Sequence, residues 1–437
     1  MKMYEILNKK RYGEALTPGD IDYVVKRFTD GEIPDYQMAA LLMAIAINGM
    51  DDTETFALTK SMVETGETAD LSAIRGIKVD KHSSGGVGDK TSPIVGAIVA
   101  ACGVPVAKMS GRSLGFSGGT VDKLEAIPGY SIAIEKERFF EIVNTVGVSI
   151  IGQTGNLAPA DKKIYQLRDV TATVESIPLI ASSIMSKKIA GSADAILLDV
   201  KTGNGAFMKD IASATALAEK MVAIGKRFGK HTVALVTQMN CPLGNNIGTS
   251  LEVIEMIQVL HGNKAGRLKE LCCVLAANML YLAQKGSLEA CEEMAAQALE
   301  SGRAFRKFRE MVAAHGGDVT LVDHPERFPE ASCIKEVRAW QDGFVQGFQT
   351  EKCGMASMAL GAGRENKDAQ LDYTAGVCLA KGYGDPVRRG DILASLHTSR
   401  PETLDRAEQL LREGIVISGE GPKNLPLVYA RIDSETV

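Results

Sequence analysis

From Ile77 onward the chain alternates β-branched runs with alanine-rich helical stretches, and this alternation constrains the fold more than any other feature. Ile77-Lys78-Val79, Ile196-Leu197-Leu198-Asp199-Val200 and Val233-Ala234-Leu235-Val236 are strand-like, whereas Ser213 to Phe228 is helix-like. Strands separated by helix-length crossovers pair in parallel, so the pattern predicts an α/β domain with a mainly parallel sheet. In such sheets ligands bind beyond the carboxyl ends of the strands.

Two loops fall at those ends. Lys81-His82-Ser83-Ser84-Gly85-Gly86-Val87-Gly88-Asp89-Lys90-Thr91-Ser92 follows the run Ile77 to Val79, and Lys108-Met109-Ser110-Gly111-Arg112 through Ser117-Gly118-Gly119-Thr120 follows Val104 to Ala107. Each carries a lysine, hydroxyls and several glycines, then runs into helix-like sequence. Glycines let backbone N–H groups approach an anion, a helix start adds partial positive charge, and lysine adds a full one. The pair describes a cradle for an oxyanion. It is not a Walker A loop, because Asp89 separates Gly88 from Lys90, nor a dinucleotide fingerprint, because Thr91 stands where a third glycine is needed.

The flanking regions differ in texture. Residues 1 to about 67 read as short helices: Thr17-Pro18-Gly19-Asp20 is a helix start with Ile21, Val24, Val25 and Phe28 at helical spacing behind it, and Asp51-Asp52-Thr53-Glu54 starts another that Gly66 ends. Beyond roughly residue 335, glycine-punctuated hairpins such as Gly382-Tyr383-Gly384-Asp385-Pro386 indicate a small α+β domain. A chain of 437 residues is expected to form two or three domains.

Charge and composition exclude some functions. A net charge of −5 argues against a nucleic-acid surface. Eight scattered cysteines, with no Cys-x-x-Cys spacing and no histidine cluster, read as reduced core thiols. The N-terminus moves directly into an amphipathic pattern, and no apolar run reaches about 18 residues, so neither a signal peptide nor a membrane partner is expected and the cytoplasm is the expected compartment.

The stretch Ser110-Gly111-Arg112-Ser113-Leu114-Gly115-Phe116-Ser117-Gly118-Gly119-Thr120-Val121-Asp122-Lys123-Leu124-Glu125 closely resembles the signature of the thymidine and pyrimidine-nucleoside phosphorylases. Lys81-His82-Ser83, Arg168-Asp169-Val170-Thr171-Ala172-Thr173, Ser182 to Lys188, Asp199-Val200-Lys201 and Leu360-Gly361-Ala362-Gly363-Arg364 are similar to further blocks of that family, in family order. The resemblance implies phosphorolysis of a pyrimidine (deoxy)nucleoside to free base and (deoxy)ribose 1-phosphate by a homodimer. It implies a discontinuous α-domain (1–67 plus 160–190) that supplies dimer contacts and part of the nucleoside site. The α/β phosphate-binding domain would be 68–159 plus 191–334, and the C-terminal α+β domain 335–437.

The resemblance also carries residue roles. Lys81, Ser83, Ser92, Lys108, Ser110 and Thr120 are expected to hold inorganic phosphate, the co-substrate; as hydroxyls near helix starts, Ser92 and Thr120 also read as helix caps. Arg168, Ser183 and Lys187 are expected on the pyrimidine, whose O2, O4 and N3–H suit cationic donors and a hydroxyl. His82 is expected near O2, as an imidazolium that donates while charge develops on the base, so that His82, Arg168 and Lys187 form the catalytic set. Tyr165, Phe207 and Leu114 resemble pocket-lining positions. Gly88, Lys90, Leu243, Asn246 and Glu255 match positions of a potassium site, although the ammonium of Lys90 supplies a charge of its own there.

One departure from the family pattern is Phe116, where histidine is usual: either it alters selectivity among uridine, deoxyuridine and thymidine, or it packs beneath the loop. Two other functions compete with the main reading. A phosphoribosyltransferase of the anthranilate-processing type would bind pyrophosphate and magnesium, but no acidic pair stands beside the glycine loops. A catalytically silent nucleoside-binding protein is the other, against which the intact cradle argues.

Overall fold

The computed structural model describes residues 2–112, 115–116, 118–153, 157–262, 264–364 and 369–436. Four helices come first: α1 (Lys2–Arg11), α2 (Pro18–Thr29), α3 (Asp35–Asn48) and α4 (Asp52–Glu64). α2 starts where the sequence marks it. The Thr17 hydroxyl accepts from the Asp20 N–H while the Asp20 carboxylate accepts from the Thr17 N–H, and Asp51 and Glu54 repeat this reciprocal pairing at α4. The apolar faces converge on Ile6, Val24, Leu42 and Leu58.

The chain continues through β1 (Val79–Ser83), α5 (Thr91–Ala101), β2 (Val106–Ser110), α6 (Thr120–Leu124), α7 (Lys136–Val146) and β3 (Val148–Gly152). Then come α8 (Pro159–Arg168), α9 (Ile177–Ala190), β4 (Ala195–Thr202), α10 (Ile211–Arg227), β5 (His231–Gln238), β6 (Asn246–Gly248) and α11 (Thr249–Leu260). Strands β1, β4 and β5 pair in parallel, and β2 with β3 forms a second parallel pair. Every residue of β4 is buried, which explains why it reads as a continuous apolar run rather than an alternating one.

Helices α8 and α9 leave this body. Ala160, Ile164 and Leu179 enter the core of the first four helices, whereas Ala181, Met185 and Ile189 pack with β4 and α10. One helix thus has an end in each body, which places its lysines beside β1.

The C-terminal region builds β7 (Cys333–Arg338), β8 (Gly343–Phe348), β9 (Gly376–Leu379), β10 (Pro386–Val387), β11 (Ile392–Thr398) and β12 (Ile415–Ser418) into two antiparallel sheets over a shared core of Val337, Val345, Leu360, Leu396 and Leu411. Two strands cross between bodies. β6 pairs with β9 of the C-terminal sheet, and β13 (Val428–Asp433) returns to pair antiparallel with β5. The residue range 335–437 therefore lends its last strand to the α/β sheet, where Ile432 is buried and Arg431 donates to the Asn278 side chain. The architecture is a helical bundle, a large α/β domain with a mainly parallel sheet, and a C-terminal α+β domain. Among the described residues no helix is long and apolar enough to cross a membrane.

Candidate active site

The two Lys/Ser/Gly loops do meet at the carboxyl ends of β1 and β2. The buried ammonium of Lys81 donates to Thr91 Oγ1 at 2.5 Å and Ser92 Oγ at 3.4 Å, and lies 3.3 Å from Asp199 Oδ2 on β4. Lys108 donates to the Lys81 carbonyl at 2.6 Å and to Asp80 Oδ1 at 3.3 Å, and Lys188 of α9 takes the other oxygen of Asp80 at 2.6 Å. Ser83 bonds to Asp89, which also accepts the Thr91 N–H at 3.1 Å and fixes the first turn of α5. Ser92 lies inside α5 rather than ahead of it, so its hydroxyl is not the cap the sequence also allowed. Ser110 ends β2, and Thr120 opens α6, whose preceding residue Gly119 offers no side-chain cap.

This cluster explains the local electrostatics. Burial works to raise the carboxyl pKa of Asp80, but Lys108 and Lys188 outweigh it and hold the value at about 2. Burial, reinforced by Lys188 and Lys81, lowers the Lys108 ammonium to about 8, Asp80 opposing. His82 is pushed well below the ordinary histidine range by burial first, then by Lys188, Lys108 and Lys187. Burial first and the three lysines after it favour the neutral imidazole over the imidazolium expected from the sequence, in the protein without bound phosphate. Sequence reading missed Lys188, which belongs to the cluster, and Asp80, which anchors it. Beside them in β4, Asp199 and Lys201 sit unexposed, 2.8 Å apart.

Next to this cluster, Lys187 of α9 donates to Asp161 of α8 at 2.7 Å and to Ser183 one turn earlier at 3.2 Å, so these two predicted base contacts share one helix face. Tyr165 stands beside them, its ring centre 5.9 Å from the Lys187 ammonium. Arg168 is differently employed. It is buried, and its guanidinium donates to the carbonyls of Val174 at 2.7 Å, Leu179 at 3.2 Å and Thr173 at 3.4 Å, bracing the 169–176 turn. Phe207 lies half exposed after β4, and Leu114 falls outside the described residues.

Phe116 packs against the C-terminal core. A Cβ added to Gly354 would lie 2.8 Å from both the Phe116 ring and Val87, so the ring fills a space that only glycine leaves open. The backbone beside it is tied to the same domain by the Gly115 N–H to the Arg364 carbonyl at 3.0 Å. A cavity of about 620 Å³ lies elsewhere, lined by Ile254, Lys264, Phe328 and His397, away from the lysine cluster.

The remaining predicted set converges on one atom. The Lys90 ammonium donates to the Leu243 carbonyl at 2.6 Å, the Glu255 carboxylate at 2.8 Å and the Asn246 carbonyl at 3.0 Å. Gly88 touches the same point: it has φ +73°, and a Cβ there would meet the Leu243 carbonyl at 2.8 Å. Glu255 also takes Lys264 and the N–H groups of Asn245 and Asn246. Burial works to raise its carboxyl pKa, but Lys90 and Lys264 outweigh it and hold the value at about 2.

Comparison with known proteins agrees along the whole chain. Residues 4–66 match the helical bundle domain of a glycosyl transferase family, 75–305 its a/b domain, and 344–418 the pyrimidine nucleoside phosphorylase C-terminal domain. A pyrimidine-nucleoside phosphorylase of Geobacillus stearothermophilus is 50% identical over 433 residues, 99% of this chain and 100% of that protein. One from Staphylococcus haemolyticus is 49% identical over 421 residues, 96% and 97% of the two chains. An anthranilate phosphoribosyltransferase structure from Thermus thermophilus superposes with a TM-score of 0.59 at 20% identity, covering 72% of this chain and 99% of that one, a likeness of fold.

Proposed function

The chain belongs to the pyrimidine-nucleoside phosphorylase family, and on that premise we infer that it is a pentosyltransferase that cleaves pyrimidine nucleosides with inorganic phosphate as co-substrate. A phosphate oxygen forms a bond to C1′ while the glycosidic bond breaks, its electron pair leaves on the base, and the base takes a proton. The products are free pyrimidine and a pentose 1-phosphate.

The observation that supports siting this reaction here is the lysine cluster around β1. Lys81, Lys108 and Lys188 converge on Asp80 and Asp199, three ammonium groups against two carboxylates. A dianionic phosphate is the complement of such a site. Ser83, Ser92, Ser110 and Thr120 supply its hydroxyl donors. Beside it, Ser183 and Lys187 hold the pyrimidine edge, with Tyr165 and Phe207 around the ring. Arg168 has five N–H groups and spends three on carbonyls, leaving two for the base. His82 donates its N–H to O2. Little covalent work falls to these side chains; positioning and preorganised charge do the catalysis, and exclusion of water keeps the reaction from ending as hydrolysis.

A phosphoribosyltransferase reading rests on fold likeness alone, whereas two relatives near half identity over the full length support the phosphorylase. The deciding measurement is base release from uridine, deoxyuridine and thymidine with and without phosphate. Release should require phosphate and yield a sugar 1-phosphate, and Lys81→Ala should raise the phosphate KM by roughly tenfold to a hundredfold, the worth of a charge-assisted hydrogen bond. Equal turnover without phosphate would make the enzyme a hydrolase, and no turnover with any nucleoside would leave a silent binder.

The eight cysteines are all free, which supports a reducing, cytoplasmic location. A homodimer is supported by α3, where Tyr36, Met43 and Ile47 are exposed on one face at helical spacing, with Ile47 74% exposed. A second copy of the chain is the partner that would cover this face.

A further inference from the structure

The potassium site implied by the family resemblance does not fit this chain, because a lysine already fills it. The cage consists of the Leu243 and Asn246 carbonyls and the Glu255 carboxylate, at 2.6, 3.0 and 2.8 Å from the Lys90 ammonium. An ammonium has three N–H donors, and here each has an acceptor, so its valence is complete. Both side chains of the Lys90–Glu255 pair are wholly unexposed. The single carboxylate is shared with Lys264, which leaves no uncompensated negative charge for a second cation. The walls are close: a Cβ at Gly88 would stand 3.4 Å from the ammonium, and one at Gly244 would stand 2.6 Å from Glu255 Oε2.

We propose that Lys90 is a covalently tethered monovalent cation that holds the phosphate loop in place, so that this enzyme works without a monovalent metal ion. A potassium ion and an ammonium group carry the same charge and have similar size, and a lysine delivers the second without a binding equilibrium.

The position makes the tie consequential. Lys90 immediately precedes α5, whose first turn presents Thr91 and Ser92 to Lys81. On the far side, Asn246 begins β6, which pairs with β9 of the C-terminal sheet, and Glu255 belongs to α11. One buried ammonium therefore joins the phosphate loop, the α/β domain and the C-terminal domain. Lys90 itself does not reach the reacting atoms; it is a positioning residue. Removing its side chain while leaving an oxygen, as in Lys90→Ser, would open a cage of carbonyl, carboxylate and hydroxyl oxygens, the donor set of alkali-metal sites.

The kinetic part of this inference rests on the proposed phosphorolysis, while the binding part does not, and the experiment separates them. Full-length wild type, Lys90→Ser and Lys90→Met are assayed at constant ionic strength in choline, lithium, sodium or potassium chloride. Melting temperature, nucleoside kcat and phosphate KM are recorded. The wild type should be indifferent to the cation in all three readouts. Lys90→Ser in choline should melt lower and show a phosphate KM raised by about tenfold or more, the cost of a lost charged hydrogen bond, and potassium should restore both better than lithium. Lys90→Met, which fills the cage with an uncharged chain, should not be restored by any ion. If the enzyme proves inactive on nucleosides, the melting data still decide the cation question. A wild type that gains stability or activity from potassium overturns the proposal, as does a Lys90→Ser enzyme equally stable in every salt. If neither variant folds, the wild-type salt series alone decides.

Discussion

Lys108 carries the clearest pH signature at the residue scale. Its ammonium is held at about 8, against an ordinary value of 10.5, so in the free enzyme it loses its proton as pH rises through about 8. Bound phosphate favours the ammonium, so phosphate affinity should be undiminished by this group below about 8 and should weaken above it. The phosphate KM measured across this window should rise more steeply in wild type than in Lys108→Gln; the ion's own titration is common to both. Parallel curves would show that Lys108 does not face phosphate. The two candidate base contacts separate in a similar way. Lys187→Gln keeps a donor for Asp161 and should lower nucleoside kcat/KM by roughly tenfold to a hundredfold with little change in melting temperature. Arg168→Ala removes the three hydrogen bonds to the Thr173, Val174 and Leu179 carbonyls and should lower both, with a stability loss of about 2–4 kcal/mol. A melting temperature for Arg168→Ala equal to wild type would remove its bracing role.

At the scale of elements, the segment between β2 and α6 is held from outside the α/β domain. Phe116 against Gly354 and the Gly115 bond to Arg364 both come from the C-terminal domain, and Arg364 also pairs with Asp122 of α6 at 2.7 Å. Phe116 is therefore expected to act by packing. Phe116→His should lower the melting temperature and scale kcat/KM for uridine, deoxyuridine and thymidine by one common factor. A several-fold change in their ratios, at unchanged stability, would instead put the ring in the pocket. The capping pairs at α2 and α4 were legible in the sequence because they are local: three residues of spacing suffice. The return of β13 to the central sheet was not, because a short strand carries no mark of which sheet it will join.

At the scale of the molecule, α9 has one end in the helical bundle and one against the sheet, so a single helix is held by both bodies. The bundle's outer face is where a second copy is expected. Ile47→Glu, a charge placed on the exposed apolar face of α3, should shift the protein from dimer to monomer in light scattering while leaving the fold intact by circular dichroism. A wild-type monomer, or an unshifted dimer in Ile47→Glu, would place the interface elsewhere or abolish it.

The sequence by itself determined the layered α/β core, the N-terminal helices, the glycine-punctuated C-terminal region and the two Lys/Ser/Gly loops. Each is written in local periodicity, in turn chemistry, or in residue types that follow strands at fixed spacing. It also offered the cage residues of Lys90 as a set. Only the tertiary structure decided what those residues do to one another. That Lys90 is spent on Leu243, Asn246 and Glu255, that Lys188 meets Asp80 108 residues away, and that Arg168 braces a turn depend on distances between segments far apart in the chain. The ionisation of His82 follows from the same cause. A histidine between Lys81 and Ser83 has no fixed charge until the fold gathers three lysines and removes water around it.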